Sequence, residues 1–197
     1  MKISLYFATA AVALMMIPMH ADAAGRVKAR GATQNEEGGV TVGAASCARG
    51  SAGAACRARA VETDGQGNAQ AASGGCAKGA SGAGCRASTT TKGADGAVSR
   101  QSGSSYQSET GSASSSGSYQ RNPDGTYSGS RSSSASGAAG SYQSDTTVSS
   151  ETGAARSTTA SGENGSVSAE TTYKRGEGGS REVTCTDASG AVVACPF

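Results

Sequence analysis

Beyond residue 23 the chain contains no Leu, Ile or Trp, and its one Phe is Phe197. Val supplies ten positions there: Val27, Val40, Val42, Val61, Val98, Val148, Val167, Val183, Val192 and Val193. So little apolar surface cannot offset the conformational entropy of ordering a two-layer domain around an ordinary hydrophobic core. Two outcomes are compatible with this poverty. The chain stays disordered, or it forms extended strands held by their neighbours and by covalent staples.

The N-terminus bears on the compartment. Lys2 precedes an apolar stretch from Ile3 to Met19, and Ala21-Asp22-Ala23 fits the small-x-small pattern of a signal peptidase site. The pattern predicts a cleavable signal peptide over 1–23, and no Cys follows the cleavage site to accept a lipid. The expected location is secreted, periplasmic or at the cell surface, with no transmembrane segment after cleavage. Residues 24–38 read as a flexible N-terminal segment, and 39–197 as a Gly/Ser/Ala-rich strand–turn repeat region.

A glycine ladder organises that region. Gly39, Gly53, Gly67, Gly82, Gly96, Gly111, Gly125, Gly140, Gly153, Gly165, Gly178 and Gly190 follow one another at gaps of 12 to 15 residues. Asp95, Asp124 and Asn164 each precede a ladder glycine, and Asp-Gly and Asn-Gly are strong hairpin-turn signals. The intervening segments, such as SYQSDTTVSSE (141–151), carry Ser, Thr, Tyr and Val without the 3.6-residue apolar spacing of a helix. The fold class that follows is all-β: an extended antiparallel β-meander of short strand–turn repeats with little hydrophobic core. A largely disordered chain with local disulfide-stapled hairpins, or a β-solenoid, are the alternatives. Asn122-Pro123-Asp124-Gly125 predicts a type I turn with a glycine bulge, pairing Asn122 with Thr126 and setting Tyr119 opposite Gly129. The same register would let Arg121 lie over the Tyr127 ring.

The six cysteines fall in paired spacings. CARGSAGAACRA (47–58) recurs as CAKGASGAGCRA (76–87), and Cys185 and Cys195 close the chain. An even count in an exported protein predicts disulfides. Zinc fits poorly, because the spacings are not those of chelating loops and His20 is the one histidine of the chain. A loop Gly50–Gly53 places Cys47 opposite Cys56, and Gly79–Gly82 does the same for Cys76 and Cys85. A three-residue loop Ser189-Gly190-Ala191 would place Cys185 opposite Cys195. Directly opposed antiparallel residues lie within disulfide reach. A solenoid of 29-residue coils would instead stack Cys47 on Cys76 and Cys56 on Cys85. The drift of the glycine gaps towards shorter values argues against constant coils.

Charge is nearly balanced but unevenly spread. Residues 24–100 hold ten Lys/Arg against five Asp/Glu, and 101–197 hold six against nine. No dense basic run points to nucleic acid. Catalytic constellations are scarce as well. With no His past the signal segment, Ser-His-Asp and Cys-His arrangements are excluded there, and neither a G-x-S-x-G elbow nor a Walker A loop occurs. The sequence therefore implies no enzyme, no cofactor and no metal. It implies an exported structural or surface/matrix interaction protein that displays polar β-repeats to an extracellular or envelope partner, with self-association through strand edges open to it. A soluble, disordered secreted ligand with small stapled epitopes is the alternative.

Overall fold

Alternating Ser, Thr, Val and Tyr between glycine turns suits a pleated ribbon, and the described part of the repeat region adopts one. The computed structural model of the chain describes residues 25–34 and 38–195. The predicted signal segment 1–23 and the terminal Pro196-Phe197 lie outside the described residues. The strands are β1 (Gly25–Gln34), β2 (Val40–Gly50), β3 (Gly53–Thr63), β4 (Ala69–Gly79), β5 (Gly82–Lys92), β6 (Val98–Gln107) and β7 (Gly111–Arg121). They continue as β8 (Tyr127–Gly137), β9 (Gly140–Ser149), β10 (Gly153–Gly162), β11 (Gly165–Lys174), β12 (Gly178–Asp187) and the short β13 (Val192–Val193). All thirteen form one antiparallel sheet in sequence order, an open meander.

Each ladder glycine from Gly39 onward lies at, or one or two residues before, the start of one strand from β2 to β13. The shortening of the gaps has a plain cause. The strands fall from eleven residues in β2–β5 to ten in β9–β12, and the connections from β8 to β12 are only two to three residues long.

The register fixes the faces, because directly paired residues point to the same side of a sheet. One unbroken row runs Val27, Cys47, Cys56, Cys76, Cys85, Ser105, Ser114, Ser134, Gln143, Thr159, Ser168, Thr184. Among the described residues no second layer covers either side. The chain exposes 14148 Å², whereas a globular protein of its 19.1 kDa would expose about 8400 Å². Among the described residues the buried ones are Gly39, which has no side chain, and Cys185 and Ser144, at 3% and 6% exposure. The predicted lack of a core is thus realised as a single-layer sheet.

The N-P-D-G hairpin forms as the turn chemistry predicts. The Asn122 N–H donates to the Thr126 carbonyl (2.8 Å) and the Gly125 N–H to the Asn122 carbonyl (3.0 Å). Arg121 pairs with Tyr127 and Tyr119 with Gly129. A methyl group on Gly129 would meet the Tyr119 ring at 3.5 Å, so the ring lies over bare backbone. The expectation that Arg121 covers Tyr127 is not met; that ring packs on Tyr119, with centroids 6.4 Å apart.

Two further expectations are corrected. The segment 24–38 was expected to be flexible, yet Gly25–Gln34 forms β1 and pairs with β2 over its whole length. Its alternation of Arg26, Lys28 and Arg30 with Gly, Val and Ala is strand-like, and backbone pairing needs no apolar side chains. At the other end the loop is Ala188-Ser189-Gly190, one residue earlier than expected. The Asp187 side chain accepts from the Ser189 N–H (2.8 Å) and the Ala191 N–H (3.0 Å) and closes the turn there. Cys185 therefore faces Val193 and not Cys195.

Gly140 has φ +136°, and a Cβ on it would lie 1.9 Å from the Ser161 carbonyl oxygen of β10. Gly125 has φ +89° with nothing within 4 Å of a Cβ. Gly125→Ala should then cost about 1 kcal/mol, the left-handed backbone penalty alone, and Gly140→Ala about 2–3 kcal/mol, since the strands must also part. Equal costs in urea melts would contradict this register.

Candidate interaction surface

The two faces of the sheet differ in chemistry. The face bearing the row from Val27 to Thr184 is rich in hydroxyls. Seven directly opposed Ser/Thr pairs hydrogen-bond across it, among them Ser112–Ser136 (3.0 Å), Ser114–Ser134 (2.8 Å) and Ser166–Thr186 (2.8 Å). Its strand charges are mixed: Arg49, Lys78 and Lys174 against Glu62, Asp145, Glu170 and Glu182.

The opposite face is cationic. Arg26, Lys28 and Arg30 project from β1, Arg57 and Arg59 from β3, and Arg86 and Lys92 from β5. Arg100, Arg121, Arg131, Arg156 and Arg181 extend the same face through β6, β7, β8, β10 and β12. Its one strand carboxylate is Asp187, which is engaged in its own turn. The tyrosines of the described residues also share this face, and three of them sit directly opposite a glycine: Tyr106 on Gly84, Tyr119 on Gly129 and Tyr173 on Gly179. The Tyr106 hydroxyl donates to the Ser81 carbonyl (2.8 Å), and Arg156 reaches both Ser144 Oγ and the Tyr142 hydroxyl at 3.1 Å.

The cysteines act as staples. Disulfides join Cys47–Cys56, Cys76–Cys85 and Cys185–Cys195. The first two lie on the hydroxyl face between directly opposed residues, with Cα separations of 4.1 and 4.0 Å. The third lies on the cationic face and is diagonal, at 5.4 Å, because of the earlier turn; it buries Cys185. Cys56 is also directly opposed to Cys76, so four cysteines stand in one row on neighbouring strands.

Asp64, Asp124 and Asp187 belong to the turns. The Asn68 side-chain amide, and then the Gln66 N–H, hold the Asp64 carboxyl below the ordinary aspartate range. The Thr126 hydroxyl and N–H do so for Asp124, and the Ser189 hydroxyl followed by the Ala191 N–H for Asp187. Among the described residues there is no group of three or more His, Cys, Asp or Glu that could hold a metal ion, and no helix long and apolar enough to cross a membrane. No family model, characterised protein or solved structure matches the chain.

The sequence reading identified the cysteines and missed the cationic face. Its cations are dispersed along the chain, and register is what gathers them. One signal was readable: Arg57 and Arg86 each follow a cassette cysteine by one residue, so both must point away from the cysteine face.

Two expectations follow. The 4.1 and 4.0 Å separations mark Cys47–Cys56 and Cys76–Cys85 as non-hydrogen-bonded pairs, which makes Cys56–Cys76 a hydrogen-bonded pair about 5.5 Å apart, still within disulfide range. The double variant Cys47→Ser, Cys85→Ser should therefore oxidise to a Cys56–Cys76 bond in non-reducing peptide maps; two free thiols would contradict the row. In addition, carboxyl titrations by NMR should give midpoints below the ordinary range for Asp64, Asp124 and Asp187. Because these folded values are depressed, the turns keep their contribution above the unfolded aspartate pKa and lose it as pH falls through the folded one. Melting temperature should drop on acidification through that window, and a flat profile would count against the turn assignments.

Proposed function

We propose that the protein is an exported, non-enzymatic structural component of a cell surface or extracellular matrix, which acts by displaying its two open faces and its strand edges to partners. The observation that carries this reading is the coreless single-layer sheet. With so few buried side chains, almost every strand side chain is offered to the surroundings, an arrangement suited to contact and poorly suited to enclosing a reacting group.

Three disulfides support export, since such bonds persist in oxidising compartments. Both sheet margins favour contact with further chains. The outer edge of β1 is unpaired by any described strand, and β13 covers only Cys185 and Thr186 of β12. Exposed edges are templates for strand addition, and the charges on β1 restrain indiscriminate growth.

Fractionation of the producing cells tests the proposal. The protein should appear in the envelope or matrix fraction, in oxidised form and lacking residues 1–23. Recovery in the cytoplasm with reduced cysteines would overturn it.

A further inference from the structure

The cationic face is not flat over its first strands. From β1 to β8 it forms an open trough of about 1320 Å³ whose lining holds eight cations and no carboxylate. Arg26, Lys28 and Arg30 form one wall, Arg57 and Arg59 a second, and Arg86 a third. Arg100 and Arg131 lie farther along. Among the described residues none of the eight is ion-paired.

The walls stand on alternate strands, and the rows show it. Lys28, Ser46, Arg57, Gly75 and Arg86 are successive partners, as are Arg30, Ala44, Arg59 and Ser73. Strands β2 and β4 contribute only small residues between the walls: Ala44, Ser46 and Ala48, then Ser73, Gly75 and Ala77. The result is a pair of channels, each two strand spacings or about 9.5 Å from wall to wall. The Arg57 Nε–H donates to Ser46 Oγ at 3.1 Å, which holds that side chain against the first channel's floor.

We propose that these channels bind a linear acidic polysaccharide, with carboxylate or sulfate groups taken by the arginine walls and sugar rings resting on the Ala/Ser/Gly floors. Charge complementarity provides the attraction: unpaired guanidinium groups form strong, bidentate hydrogen bonds with planar oxyanions. The floor selects the polymer. Single-stranded nucleic acid is held largely by stacking of successive bases on aromatic rings, whereas β1 to β5, which build the channels, carry no aromatic residue and Tyr106 of β6 is the single ring in the trough's lining. A duplex is too broad, since the major groove of B-DNA alone spans about 12 Å. Hydroxyl and methyl floors suit the mixed polar and apolar faces of a pyranose ring. The choice of a glycan also accords with the export proposed above, although binding itself depends only on the trough.

The test uses purified, oxidised protein and measures binding to polygalacturonate and to heparin, with dextran as a neutral control. Binding should be found for both acidic polymers and not for dextran, and should weaken as salt screens the charges. Arg57→Ser with Arg59→Ser, and separately Lys28→Gln with Arg30→Gln on the edge strand, should each weaken it about tenfold. Arg121→Ser with Arg181→Ser, on the same face outside the trough, should change it less than about twofold. Each variant is compared only after its circular dichroism matches the parent; the edge-strand pair serves if the β3 pair unfolds. Equal binding to dextran, equal loss from all three variants, or tighter binding to an oligonucleotide or to polyglutamate overturns the glycan assignment. These outcomes are independent of where the producing cell places the protein, so the failure of one proposal does not carry the other with it.

Discussion

Everything in this structure depends on strand-to-strand backbone pairing that proceeds without a hydrophobic core. In most domains the sheet is positioned by what it packs against. Here each strand is positioned only by the two beside it, so register carries the whole specification of the fold. Wherever two strands could slide, something local prevents it. The glycine at each turn sets the phase, two disulfides tie β2 to β3 and β4 to β5, and the Asp64, Asp124 and Asp187 carboxylates pin their own turns.

Side chains then contribute in small, repeated units. Ser/Thr pairs hydrogen-bond across the hydroxyl face, and tyrosines lie over opposed glycines on the other. Each cross-strand pair contributes only about 0.2–1 kcal/mol, so the sheet relies on many of them in parallel. The same alternation that supplies these pairs also sorts the charges. A one-residue slip in β3 would move Arg57 and Arg59 to the hydroxyl face and take Cys56 away from Cys47. The staple and the cationic trough are thus specified by one register.

Much of the fold was legible in the sequence. The absence of Leu, Ile and Trp beyond residue 23 excluded a layered core, the glycine ladder marked the strand starts, and Asn122-Pro123-Asp124-Gly125 gave its hairpin residue by residue. The cassette turns placed Cys47 opposite Cys56 and Cys76 opposite Cys85 for the same reason: short loops fix register. The failures came where local chemistry was ambiguous. Asp187 captured the last turn one residue early, which left Cys195 diagonal to Cys185, and β1 formed from a segment whose polar composition resembled a linker. The cationic surface was the least visible feature. Its arginines are far apart in sequence, and only the pairing of β1 through β8 assembles them.

The account claims that the folded state is held by pairing and staples with very little apolar burial, and the heat capacity of unfolding tests that claim most directly. Apolar hydration dominates this quantity, which amounts to roughly 12–15 cal/mol/K per residue for ordinary globular domains. Calorimetry of the oxidised protein should give a cooperative transition with less than about half that value. A heat capacity change in the ordinary globular range would mean that a substantial apolar core forms, and would contradict the single-layer sheet.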